Sequence, residues 1–446
     1  MTGNASRSAR LAIMVGSLLA PAPGLSMPTV YPTGVTINDK IAAYPCDVIF
    51  SGADDKTYLL DPSGKVIKTW AMAGVPAAMV DPALVGGRKG IVGFAIEDVD
   101  HSQMPRVEGI DLVPGRRPGK VNKTFGLVDW NGKVVWQWSG PRDVGAALQH
   151  HDWSKLPNGN FLILSNSTRE DKRFTRGRIV DDVIYEVDRQ GAVVWQWNAT
   201  DHLDEFGFTP EQLKLIYSSV GADYLHVNAM SALGANHWEK AGDRRFAADN
   251  IIISSRNANV VAIVDRRSGH IVWRIGPVAG SPAGLGHGGP QALPRPVDQT
   301  SGQHDPHMIP EGMPGAGNIL IFDNQGDAGY PSVQRAVISG SRIIEIDPSK
   351  KTIVWEYKAG MSGRPDPTFF SPFISSAQRL PNGNTLIDEG INGRIFQVTR
   401  EGRIVWEYIS PYEGAAPQPP APGHPAAKAN LIYRAMAVPP AWVPSQ

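Results

Sequence analysis

The sequence predicts an all-β fold, a six-bladed β-propeller with four antiparallel strands in each blade. One observation is a β-hairpin pattern ending in tryptophan that occurs six times along the chain. Another is a second hairpin pattern that lies between these repeats. The third is composition, because 47 glycines and 37 prolines in 446 residues favour many turns and short strands over long helices.

The tryptophan hairpins define the six units. Each has a short alternating apolar run, a polar turn of a few residues and a β-branched run into a tryptophan, as in "GLVDWNGKVVWQW" (126–138). The tryptophans of the six hairpins are Trp70, Trp136, Trp195, Trp273, Trp355 and Trp406. Their wide spacing leaves room for a second hairpin in every unit.

The second hairpin is visible in four units. "HHDWSKLPNGNFLILSN" (150–166) and "SSAQRLPNGNTLIDEG" (375–390) each hold two strands around a Pro-Asn-Gly-Asn turn. Residues 225–257 and 303–324 follow the same design with longer turns. Two packed β-sandwiches are the alternative, but they do not require a tryptophan at the same place in six hairpins.

The two ends of the chain are expected to close the ring. A Pro/Ala-rich segment leads to "LIYRAMAV" (431–438), which we expect to supply the missing strand of the first blade. The propeller is then one catalytic domain, residues 27–446. Residues 1–26 read as a signal peptide, because Arg7 and Arg10 precede a short apolar run, or as a disordered arm.

The charge balance excludes some classes of partner, and the N-terminal segment predicts the cellular location. Lysine plus arginine and aspartate plus glutamate number 43 each, which removes the electrostatic reason for a nucleic-acid or anionic-membrane partner. A cleaved signal predicts a periplasmic or secreted protein with no membrane association after export, whereas an uncleaved arm leaves it cytoplasmic. The oligomeric state is open, a homodimer included.

The repeat also predicts where histidines meet. In each blade the start of the innermost strand lies beside the end of the second strand, at one mouth of the channel. The residues at these positions are His151 with Asn166, His226 and Asn228 with Arg256, His304 with Asn324, and Ser375 with Glu389. We therefore expect three imidazoles and a guanidinium to converge. His150 and His307 are expected to point away or to lie past the strand start.

The segments "HHDWSKLPNGNFLIL", "YLHVNAM…IIISSRN", "GQHDPHMI…GNILIFDN" and "LPNGNTLIDEGINGRIFQV" resemble the bacterial arylsulfotransferases that use no nucleotide donor. The likeness runs from about residue 30 to 410. It implies a six-bladed propeller that moves a sulfuryl group from an aryl sulfate donor to a phenolic acceptor by a ping-pong mechanism through a sulfated histidine. It implies no cofactor. The chain departs from some secreted members in having a single cysteine, Cys46.

The resemblance assigns roles residue by residue. It implies that His304 is the nucleophile, that His226 and Arg256 serve the sulfate and transition state, and that His151 is a further channel histidine. It groups Asn228 with the sulfate-binding residues, and Ser375 falls near where the family can place a hydroxyl residue. Together with Asn324, which the repeat places beside His304, they are expected to bind substrate. The chemistry suits these residue types, since a neutral imidazole is a competent nucleophile and a guanidinium presents a planar fork to two sulfate oxygens.

Two other functions remain open from the residues alone. His151, His226 and His304 could be the ligands of a divalent metal in a hydrolase or lyase. Arg256 at the same mouth argues against a cation there, so we expect no metal at these residues. The third possibility is a propeller that binds a ligand without catalysis.

Overall fold

A computed structural model describes residues 32–100, 120–175, 177–218, 225–276, 300–326, 340–416 and 427–445. The segment interpreted as a signal peptide or disordered arm lies outside the described residues, so export stays a prediction. No helix in the described part of the chain is both long enough and apolar enough to cross a membrane.

Six antiparallel sheets form the ring, and this confirms the predicted six-bladed propeller. The first blade contains β2 (Asp47–Ser51), β3 (Thr57–Leu60), β4 (Val66–Trp70) and the late strand β27 (Ala435–Val438). The second contains β5 (Ala78–Met79), β6 (Val92–Asp100), β7 (Lys120–Val128) and β8 (Val134–Trp138). The third contains β9 (Gln149–Lys155), β10 (Phe161–Glu170), β11 (Arg178–Val187) and β12 (Val193–Asn198).

The other three blades follow the same plan. The fourth contains β13 (Val227–Ala232), β14 (Ile251–Ser255), β15 (Val260–Val264) and β16 (Ile271–Ile275). The fifth contains β17 (His304–Met308), β18 (Ile319–Asp323), β19 (Arg342–Asp347) and β20 (Thr352–Tyr357). The sixth contains β1 (Gly34–Asn38), β21 (Ser376–Arg379), β22 (Thr385–Glu389), β23 (Arg394–Val398) and β24 (Ile404–Ile409).

A few small elements lie outside the blades. The strands β25 (Gly414–Ala415) and β26 (Lys428–Ala429) form a separate two-stranded ribbon. The α-helices are α1 (Pro210–Ser218), which follows the third blade, and α2 (His237–Lys240), which lies inside the fourth. Short 3-10 turns connect other strands.

Both ends of the chain close the ring, as predicted. Strand β27 is the innermost strand of the first blade and pairs with β2, Ala437 opposite Val48. Strand β1 is a fifth, outermost strand of the sixth blade and pairs with β24, Val35 opposite Tyr408. The C-terminal segment therefore lines the channel, whereas the N-terminal segment covers the outer edge.

The tryptophan repeat joins neighbouring blades. The indole Nε1 atoms of Trp136, Trp273, Trp355 and Trp406 each donate to a carbonyl in the turn between the third and fourth strands of the next blade, at 2.8–3.0 Å. In the third blade Trp197 makes this bond in place of Trp195. Each such bond satisfies a buried or half-buried indole and fixes one blade against the next.

Strand pairing corrects one detail of the repeat. Five of the six tryptophans occupy equivalent positions, opposite the residue that precedes the bulge in the third strand. In the first blade that position is held by Lys68, opposite Leu59. Trp70 lies two residues further along β4, on the same face of the strand as Lys68.

The innermost strands carry bulges at the end where the histidines lie. Pairing shifts between Ile163 and Ser165 on β10, between Val227 and Ala229 on β13, and between His304 and His307 on β17. A bulge bends its strand and redirects its side chains. These bulges determine which histidines face one another.

Candidate active site

His304 begins β17 and is buried, with 3 % of its surface exposed. Its Nδ1 lies 2.8 Å from Asn324 Oδ1 and 2.9 Å from the Gly302 carbonyl. Its Nε2 lies 3.1 Å from the backbone nitrogen of Ile374. Since both neighbours of Nδ1 are acceptors and the neighbour of Nε2 is a donor, the proton is on Nδ1. The lone pair is therefore on Nε2, where a nucleophile needs it.

The His304 imidazole is held in its neutral form. Burial lowers its pKa well below the ordinary histidine value of 6.5, and the nearby positive charge of Arg256 lowers it further. His226 contributes in the same direction, whereas the hydrogen bonds to Asn324 and Gly302 act in the opposite one. The ring therefore stays unprotonated at neutral pH, with its lone pair available.

Asn324 orients His304. While Oδ1 accepts from the ring, its Nδ2 donates to the carbonyls of Ser371 and Ile374 at 2.7 and 2.8 Å. These two bonds fix which end of the amide faces the imidazole. Asn324 was expected to bind substrate, but in this structure both ends of its side chain serve His304 and the loop that covers it.

The register of the strands differs from the one inferred from sequence. Arg256 does lie opposite His226, whose carbonyl accepts its backbone N–H at 3.0 Å. His304, however, pairs with Phe322, two residues before Asn324. The backbone N–H of Asn166 donates to Leu148, three residues before His151. The three histidines thus occupy different places along their strands and meet because the strands bulge.

His151 and His226 face each other across the third and fourth blades. Their ring centroids are 4.8 Å apart in an edge-to-face arrangement. Both residues have a left-handed backbone, with φ of 56° and 51°. Such a conformation is uncommon for residues other than glycine and is typical of functional or strained positions. The ring of Tyr433 lies 5.6 Å from that of His151.

His150 also belongs to the cluster, which the sequence interpretation did not expect. Its Nδ1 lies 2.6 Å from the Nδ1 of His151, and its Nε2 lies 3.3 Å from Asp182 Oδ1. Both His150 and Asp182 are buried. The three side chains form a chain of carboxylate, imidazole and imidazole that leads to the centre of the cluster. The sequence signals were the His-His pair and the Asp-Asp pair in the middle of strand β11.

The fourth blade also supplies Arg256 and Asn228 to the site. The Arg256 guanidinium is half-buried and donates from Nη1 to Asn257 Oδ1 at 3.2 Å. Asn228 is fully buried and donates from Nδ2 to the carbonyl of Gln303 at 2.9 Å. The donor group expected to reach a sulfate oxygen is therefore engaged with the backbone next to His304. Asn228 fastens β13 to β17.

The loop at Ser375 covers His304. Ser375 Oγ donates to Ser371 Oγ at 2.8 Å and accepts from the Gly390 nitrogen at 2.9 Å, so this hydroxyl serves the loop. Ile374 and Ser375 both have positive φ, 58° and 88°. A left-handed β-branched residue is an outlier that its surroundings must hold in place. This strained turn directs the Ile374 N–H at His304 Nε2.

A buried ion cluster lies below the histidines in the channel. Arg434 Nη1 contacts Asp152 Oδ1 at 3.1 Å and Asp305 Oδ1 at 3.3 Å. Asp305 thus turns away from His304, as the alternation of side chains along a strand predicts. On the far side is a cavity of about 240 Å³, which His307 helps to line. This cavity is lined by Asp152, Asp305 and Arg434 as well, and His304 is not among its lining residues.

The residues favour an anion over a metal in the channel. Arg256 is close enough to lower the pKa of His304, and a guanidinium repels a cation. Within the described ranges, three potential ligand atoms come within 4.8 Å of one another at His202, Glu205 and His270, which lie elsewhere.

Comparisons with known proteins identify a family for this chain. A family model described as Arylsulfotransferase (ASST) matches residues 128–407, more than half of the chain. A structure titled as a protein of unknown function from Bacteroides caccae aligns with a TM-score of 0.45 at 10 % identity, covering 89 % of this chain and 99 % of its own. The quinohemoprotein alcohol dehydrogenase from Comamonas testosteroni aligns with a TM-score of 0.37 at 12 % identity, covering 93 % and 76 %. No curated protein matches.

Proposed function

The chain belongs to the arylsulfotransferase family, and on that premise we propose that it moves a sulfuryl group from an aryl sulfate to a phenol through His304. The observation that carries the proposal is the state of this one imidazole. It is buried and neutral, its Nδ1–H is held by Asn324, and its Nε2 lone pair accepts the backbone N–H of Ile374 in the covering loop. Arg256 supplies positive charge beside it.

In the first half-reaction, the Nε2 lone pair attacks the sulfur of the donor. A nitrogen–sulfur bond forms while the bond from sulfur to the aryl oxygen breaks. Sulfuryl transfer, like phosphoryl transfer, is an in-line displacement in which positioning and charge stabilisation do most of the work. Arg256 would hold two sulfuryl oxygens with its planar fork. The N–H of Ile374 must leave Nε2 and can then donate to a sulfuryl oxygen.

The departing aryl oxide needs a proton. His151 and His226 are the nearest imidazoles of the cluster, and the 2.6 Å contact links His151 to His150 and thence to Asp182. An imidazolium whose other nitrogen is held by such a chain is a suitable general acid. The aryl oxygen takes this proton and leaves as a phenol.

The second half-reaction reverses the first. A phenolic acceptor gives its hydroxyl proton to the same imidazole, and its oxygen attacks the sulfur of the sulfated His304. The nitrogen–sulfur bond breaks, and His304 returns to its neutral state. Donor and acceptor thus use one site in turn, which is a ping-pong sequence.

The test is His304→Asn, because asparagine fits the buried site yet lacks a nucleophilic nitrogen. We expect loss of transfer from a chromogenic aryl sulfate to a phenol and loss of the mass gain of one sulfuryl group on the protein. His307→Ala is the matched control, since His307 lies on the same strand but lines the cavity below the ion cluster. If His304→Asn stays folded and still becomes sulfated, the proposed nucleophile is wrong.

A further inference from the structure

A second group of histidines lies between the third and fourth blades, away from the channel. His202 and Glu205 come from the 3-10 segment Ala199–Glu205 that follows β12, and His270 precedes β16. The Nδ1 atoms of both histidines approach the same oxygen, Glu205 Oε1, at 3.0 and 2.8 Å. All three potential ligand atoms lie within 4.8 Å of one another.

The surroundings fix these side chains before any ligand arrives. The ring of His202 stacks on Trp197, with centroids 5.1 Å apart and planes 11° from parallel. Trp197 is itself held by its bond to the Gly269 carbonyl. The second oxygen of Glu205 accepts the backbone N–H of Ile271 at 2.6 Å. Outer contacts of this kind orient the ligands of metal sites.

Solvent reaches the three side chains from one side. The His270 side chain is 67 % exposed, so the site is reached directly from solvent.

The three ligand atoms lie near the spacing that zinc requires. Zinc binds nitrogen and carboxylate oxygen at about 2.0–2.2 Å in a tetrahedron, which separates neighbouring ligand atoms by about 3.3 Å. The two Nδ1–Oε1 distances are shorter than this by a few tenths of an ångström. A small rotation of the exposed His270 would open the space. Two imidazoles and one carboxylate are also a donor set that favours zinc over calcium or magnesium.

We propose that His202, Glu205 and His270 form a surface zinc site, with its remaining position open to water. Bound zinc would fasten the segment that follows the third blade to a hairpin turn of the fourth. Those two blades supply His150, His151, His226 and Arg256 to the histidine cluster. The zinc site is separate from the transfer chemistry and does not depend on it.

The experiment is titration of metal-free protein with zinc chloride, followed by calorimetry and by the melting temperature. We expect saturable binding of one Zn²⁺ per chain and a rise in melting temperature. Glu205→Gln and His270→Ala should each weaken binding by at least about tenfold, the size of effect seen when only an outer-shell partner is lost. His270 is exposed, so its variant tests binding without a folding defect.

Two controls locate the metal. His237→Ala removes an exposed histidine of α2, and His304→Asn removes the proposed nucleophile, so both should bind zinc like the unaltered chain. The proposal is overturned by the absence of saturable binding. It is equally overturned if Glu205→Gln and His270→Ala bind zinc normally, or if His304→Asn is the variant that loses it.

Discussion

At the scale of single residues, the environment of His304 sets how activity depends on pH. An unperturbed histidine would place the change between about pH 5 and 8. Burial and the charge of Arg256 instead lower the pKa of His304 well below 6.5. A lowered pKa means that the ring gains its proton only in more acidic solution. We expect kcat/KM to hold as pH falls through 6.5 and to decline only below it.

Variants of Arg256 separate its charge from its geometry. Arg256→Lys keeps the charge, so the acid limb should stay in place, but it loses the planar fork and should cost about 2–4 kcal/mol in the transition state, or two to three decades in rate. Arg256→Gln removes the charge as well, so the pKa of His304 should rise and the acid limb should move to higher pH. Full pH–rate profiles of both variants distinguish these effects. Near-normal turnover in Arg256→Lys would refute the sulfate-clamp role.

His150 tests the proton chain. His150→Phe keeps a buried ring but removes the contact of 2.6 Å with His151 and the contact with Asp182. If His151 protonates the leaving group, the loss should be small for donors with acidic phenols and about 10²-fold or more for donors with poor leaving groups. Rates across a series of aryl sulfates measure this slope. An equal loss for every donor would indicate a purely structural role.

At the scale of elements, the hydrogen bonds from tryptophan indoles to the next blade should contribute to the stability of the fold rather than to catalysis. Trp273→Phe keeps an aromatic ring in the core but leaves the carbonyl of Pro348 without its donor. A buried polar group that loses its partner costs about 1–3 kcal/mol. We expect a melting temperature lower by a few degrees and an unchanged transfer rate. Trp195→Phe is the control, and we expect it to have a smaller effect. The Trp195 ring packs under the Arg266 guanidinium.

The elements were predictable because their signals are local. Alternating apolar residues, Asn-Gly turns and the final tryptophans specify hairpins within about fifteen residues, as in 126–138. The side-chain contacts of the site could not be predicted, because they depend on β-bulges and on residues with a left-handed backbone conformation, such as His151 and Ile374. No glycine marks these positions. The contact of His150 with Asp182 therefore became visible only in three dimensions, whereas the repeat already placed Asn324 beside His304.

At the scale of the whole molecule, ring closure and the site share one segment. Tyr433 donates from its hydroxyl to the Asn228 carbonyl at 3.1 Å, Arg434 pairs with two channel aspartates, and β27 follows directly. Deletion of residues 433–445 would leave Asp152 and Asp305 buried without their cation, at a cost of about 3–5 kcal/mol. We expect this variant to lose its cooperative melting transition and its transfer activity.

Deletion of residues 32–39 is the matched comparison. It removes β1, which covers the outer edge of the sixth blade far from the channel. We expect a lower melting temperature with transfer retained. Two results would contradict the prediction that the site depends on ring closure. One is a normal melting temperature in the variant without residues 433–445, and the other is an equal loss of transfer in both deletions.

The position of this closing segment along the chain has a consequence for biosynthesis. Ribosomes add about 5–20 residues per second, so β27 leaves the exit tunnel on the order of tens of seconds after its partner β2. During that interval the first blade presents an unpaired inner edge, and the floor of the histidine cluster lacks Arg434. We therefore expect the nascent chain to be inactive in the proposed transfer, and during this interval its unpaired strand edge is open to binding by a chaperone.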